Sequence, residues 1–80
     1  MPKDYLPYEL SLELYNKGYT GPTSAYYNIY NKHIFIREDI KPIESIWAPT
    51  FGETIDWFKD KYNIDVNPSI ESIKEAISKI

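Results

Sequence analysis

Residues 48–63 read Ala48-Pro49-Thr50-Phe51-Gly52-Glu53-Thr54-Ile55-Asp56-Trp57-Phe58-Lys59-Asp60-Lys61-Tyr62-Asn63. This stretch carries its own start signal, buried face and stop signal. Thr50 and Glu53 have the spacing of a capping box, in which each side chain satisfies the other residue's backbone N–H. Pro49 ends what precedes. Phe51, Ile55, Phe58 and Tyr62 fall in one narrow wedge at 100° per residue, which predicts an amphipathic helix buried along that wedge. Asn63 offers the left-handed conformation that stops it.

Working outward, Ile64-Asp65-Val66 reads as a short extended piece. Asn67-Pro68-Ser69 then starts another helix with Ser69 as its cap. On that helix Ile70, Ile73, Ile77 and Ile80 share one side by the 3.6-residue period. On the other flank, Ile43–Trp47 is a candidate third strand closed by Pro49. Before it, residues 25–30 and 33–37 are rich in Tyr, Ile and Phe, with Asn31-Lys32 between them. A two-residue loop there pairs Ile29 with Ile34, Tyr27 with Ile36 and Tyr26 with Arg37. That register puts Tyr27, Ile29, Ile34 and Ile36 on an apolar face, and Tyr26, Asn28, Tyr30, His33, Phe35 and Arg37 on a mixed one. Asn-Lys is a weaker turn than Asn-Gly, so a longer loop is the alternative.

Further back, Pro7 suits the first position of a helix. That helix runs to about Lys17 and stops at Gly18. Leu6, Leu10 and Leu14 form one stripe, and Tyr8, Leu12 and Tyr15 form a second on nearly the opposite side. A helix apolar on two sides has two things to touch, one of them a candidate partner. Gly21-Pro22-Thr23 marks a turn. The expected fold is a single α+β domain over residues 1–80. It is a two-layer arrangement of a small antiparallel sheet (a hairpin plus a candidate third strand) packed with three amphipathic helices.

Two groups of residues resemble a known set. Pro7-Tyr8-Glu9-Leu10 with Leu12, Leu14, Gly18 and Tyr19 is similar to the opening of a group of small uncharacterised proteins from gut Bacteroidetes and their phages. Ala48-Pro49-Thr50-Phe51, Glu53, Trp57-Phe58 and Lys61-Tyr62-Asn63 are similar to that group's second signature. The resemblance implies a phage or mobile-element origin and an α+β fold. It brings no activity, so it assigns no functional residue.

Composition narrows the classes of function. The chain has 80 residues, eight Tyr, three Phe, two Trp, no Cys and one His, with a net charge of −3. So small a domain buries only about 60–65% of its unfolded surface, and its aromatics, at roughly 150–250 Å² each, offset that. Without Cys there is neither a disulfide nor a thiolate metal site, as in cytoplasmic proteins. No charged segment leads into an apolar one, so no secretory leader is expected. The longest uncharged run, Gly18 to Asn31, is too polar and short to span a bilayer. The nine basic residues are scattered among twelve acids, whereas nucleic-acid affinity rests on clustered phosphate-neutralising charge.

Few constellations suggest chemistry. His33 lies beside the hairpin turn with no carboxylate or nucleophile patterned around it, and reads as a surface residue. Asp56 and Asp60, four apart with Glu53 nearby, read as a solvated helix face rather than a cation site. Tyr26, Tyr30, His33, Phe35 and Arg37 would form a stacking platform for single-stranded nucleic acid if they shared an exposed face. Trp57 lies about 120° off the helical wedge, placed either for internal packing or as an exposed anchor of the kind enriched in interfaces. The expectation is a non-enzymatic protein-interaction module without cofactor or metal, with Tyr8, Leu12, Tyr15 and Trp57 as contact residues and a homodimer as one form of assembly. The alternative is a weak single-stranded nucleic-acid binder using the hairpin face.

Overall fold

A computed structural model describes residues 5–20, 23, 25–36 and 44–80. The Gly21-Pro22 turn, Arg37, the 38–42 loop and Ile43 lie outside the described residues. The elements are α1 (Tyr8–Asn16), β1 (Tyr26–Asn28), β2 (Ile34–Phe35), β3 (Ser45–Trp47), α2 (Phe51–Tyr62) and α3 (Ile70–Ser78). The domain is α+β, with a three-stranded antiparallel sheet packed with three helices.

Helix α2 begins as its sequence dictates. The Glu53 N–H donates to Thr50 Oγ1 at 3.0 Å, and the Thr50 N–H donates to Glu53 Oε1 at 2.9 Å. Two of the orphan donors of a helix start are thereby satisfied. Asn63 adopts φ 55° and ψ 38° and ends the helix, its N–H donating to the Lys59 carbonyl. The buried face is rotated from the expected wedge. Thr54, Trp57 and Phe58 are buried, Phe51 and Ile55 are half-buried, and Tyr62 is exposed. The rotation follows from Tyr19, whose ring lies 4.9 Å from that of Trp57 and draws the indole inward. Thr54 tolerates burial because its hydroxyl donates to the Thr50 carbonyl at 2.8 Å.

Helix α1 starts one residue later than Pro7 at N1 would require, with Pro7 as the cap and its carbonyl accepting from the Ser11 N–H. At the other end Gly18 takes φ 84°. The Tyr19 N–H bonds to the Leu14 carbonyl and the Gly18 N–H to that of Tyr15. This paired closure needs a left-handed residue, which glycine supplies without steric cost. Helix α3 is capped by Ser69, whose Oγ accepts from the Ser72 N–H. It buries Ile73, Ala76 and Ile77, while Ile70 is exposed and Ile80 half-buried at the rim. Residues 64–66 form no ladder, although Val66 reaches the core.

The sheet order is β2-β1-β3. Strand β1 pairs Tyr26 with Phe35 and Tyr27 with Ile34 on one side. On the other it pairs Tyr26 with Trp47, Tyr27 with Ile46 and Asn28 with Ser45. The hairpin register differs by two residues from the pairing of Ile29 with Ile34. Asn28 is the cause. Its Oδ1 accepts from the Tyr30 and Asn31 N–H groups, and its carbonyl accepts from the N–H of Lys32, which adopts φ 61°. An asparagine that binds its own following backbone starts a turn at that point. The loop therefore begins at Ile29, and Asn31-Lys32 is not a two-residue turn. A shift of two preserves the faces. Tyr27, Ile34 and Ile46 still share one, and Tyr26, Phe35 and Trp47 the other. Ile29, expected in the core, falls in the loop and is 37% exposed.

Two apolar clusters result, and α1 contributes to both. Leu6, Leu10 and Leu14 join Tyr19, Trp57, Phe58, Val66, Ile73, Ala76 and Ile77. Tyr8 and Leu12 pack against Ala25, Tyr27, Ile46 and Ala48. The buried Tyr27 hydroxyl donates to the Leu6 carbonyl, tying the sheet to the start of α1.

Two substitutions test this account. Thr50→Ala removes the cap and is expected to cost about 1 kcal/mol. Phe58→Ala leaves a cavity in the larger cluster and is expected to cost about 3–5 kcal/mol, enough to unfold so small a domain. Urea titrations followed by Trp fluorescence measure both. A Phe58→Ala protein as stable as its parent would refute the packing described.

Candidate functional site

The expected contact residues of α1 are held by the chain's own sheet. The Tyr8 ring stands edge-on to that of Tyr27 at 5.6 Å, and Lys32 Nζ lies 5.2 Å above its centroid. Leu12 packs in the same cluster. The second stripe thus has an intramolecular partner, and Tyr8 and Leu12 are half-buried against it. Tyr15, farther along, remains partly exposed. Trp57 is only 6% exposed, with the rings of Tyr19, Phe58 and Tyr62 about it. It is a core residue and not an exposed anchor, because α2 turns its Trp57 side to Tyr19, just past the end of α1, rather than to solvent.

The aromatic set of the hairpin is divided. Tyr26 is buried, its ring 5.6 Å from that of Trp47. Tyr30 lies in the loop and is 71% exposed. His33 and Phe35 are exposed, and Arg37 lies outside the described residues. Of the described members of that platform, Tyr30, His33 and Phe35 reach the surface and Tyr26 does not, and the early turn at Asn28 moves Tyr30 out of the strand.

What the sequence reading missed is an apolar group around the hairpin. Ile29, Tyr30, Phe35 and Ile36 are all partly or largely exposed on consecutive parts of one β-turn-β unit. The Asn28 side chain is the signal that could have found it, because it shortens the strand before Ile29. Glu44 steadies the loop from the β3 side. Its carbonyl accepts from the Ile29 N–H at 3.0 Å, and it adopts φ 59°, a costly conformation for a glutamate. Its carboxylate accepts a hydrogen bond from the Tyr30 hydroxyl and thereby raises that group's pKa. No sequence pattern announces this contact.

The carboxylates of α2 are used otherwise than as a cation site. Glu53 serves the capping box, and Asp56 and Asp60 point to solvent. Among the described residues no three His, Asp or Glu side chains come together as metal ligands, and no ligand-sized cavity opens. No helix among them is long and apolar enough to cross a membrane. Family models, curated proteins and solved structures offer no match to this chain.

Three buried polar atoms lack a partner among the described residues: Ser11 Oγ, Tyr19 Oη and Trp57 Nε1. Burial pushes the Tyr19 pKa up, and the Glu53 and Asp56 carboxylates add to the effect. Tyr27 is raised by burial and then by Glu9. Below pH 10.0, the ordinary tyrosine value, both hydroxyls are neutral folded or unfolded and contribute no pH dependence. Above it the unfolded chain releases protons first, so stability falls as pH rises.

Two predictions follow from this geometry. Tyr19→Phe removes an unpaired hydroxyl, so it is expected to be neutral or stabilising at pH 7 by up to about 1 kcal/mol. It should also flatten the loss of stability above pH 10, as read by urea denaturation across that range. Leu12→Glu places a charge against the sheet cluster and is expected to destabilise the monomer by roughly 2 kcal/mol or more. Sedimentation and melting on one sample separate that outcome from a change in assembly.

Proposed function

We propose that this chain is a non-enzymatic protein-interaction module of the cytoplasm that presents its β1–β2 hairpin, not helix α1, to a partner. One observation carries the reading. Ile29, Tyr30, Phe35 and Ile36 bring four large apolar side chains to the surface of one hairpin, whereas Tyr15, Tyr62 and Ile70 are exposed singly on three different helices. Single exposed apolar residues are ordinary, whereas four on one hairpin concentrate apolar surface in one element. Tyrosine at its centre fits, since Tyr is enriched among the residues that dominate binding energy. The resemblance to small proteins of gut Bacteroidetes and their phages supports a mobile-element origin, in which a small module acts by binding a host or phage protein.

Photo-crosslinking tests the reading. A benzophenone side chain placed at Tyr30 or Ile36 is expected to trap a protein partner in cells that naturally express the chain. The same group at Ile70, on α3, should not. Equal trapping at all three positions would remove the hairpin from the interface. Adducts that disappear on nuclease treatment would instead favour single-stranded nucleic acid on Tyr30, His33 and Phe35.

A further inference from the structure

No further inference is drawn: the strongest candidate, the apolar surface patch of the β1–β2 hairpin around Ile29, Tyr30, Phe35 and Ile36, belongs to the site already described, and nothing among the described residues shows what covers it.

Discussion

Helix α1 has to bury two opposite sides within one small chain, and the rest of the molecule is arranged to let it. Its leucine stripe fills the cluster shared with α2 and α3, and its Tyr8/Leu12 side closes the cluster on the sheet. Neither cluster is large, and neither would be a sufficient core by itself in a domain of this size. Sharing one helix makes them a single cooperative unit, since displacing α1 exposes both at once. The Tyr27 hydroxyl, bonded to the Leu6 carbonyl, reinforces the joint at its polar seam.

Aromatic side chains make this economical. Tyr19, Trp57, Phe58 and Tyr62 form a run of tilted and edge-on rings with centroids 4.9–6.2 Å apart. Lys61 extends over the outer pair, with Nζ 5.3 Å from the Trp57 ring and 5.6 Å from that of Tyr62. Such contacts add to burial, but large polar-tipped rings also bring hydroxyl and indole groups inside. Tyr19 and Trp57 leave theirs unpaired among the described residues, the cost of filling a small core with big residues.

Much of the fold was legible because local chemistry set the boundaries. Thr50, Glu53, Asn63, Gly18 and Ser69 each act within a few residues of their own position, and each capped or stopped a helix as its type requires. What could not be read depended on distant neighbours. The α2 face turns toward Trp57 because Tyr19 arrives from the segment after α1, and periodicity along α2 carries no trace of that. The hairpin register was misread through competition between two local signals, Asn28 and Asn31-Lys32, of which the earlier one wins by binding two backbone N–H groups. The same competition hid the candidate site. With the turn begun at Asn28, Ile29 and Tyr30 leave the sheet for the surface, while Tyr26, on the mixed face of the sequence reading, is buried beside Trp47. The two stripes of α1 were correctly seen, but the sequence could not say that the sheet would occupy the second.

The contact of Leu6 with Pro49, and of Tyr5 with Thr50, bears on how the chain acquires its structure during synthesis. Residues made early are held by residues made much later, and the sheet strand that completes the Tyr8/Leu12 cluster immediately precedes them. While α1 emerges from the ribosome neither of its apolar sides has anything to cover it, and a nine-residue helix is not stable alone in water. A partial chain ending before α2 holds every residue of the sheet cluster but lacks Trp57, Phe58, Val66, Ile73, Ala76 and Ile77 of the larger one. The leucine side of α1 therefore stays bare until α2 and α3 have been made, and exposed apolar surface of that kind is prone to aggregation.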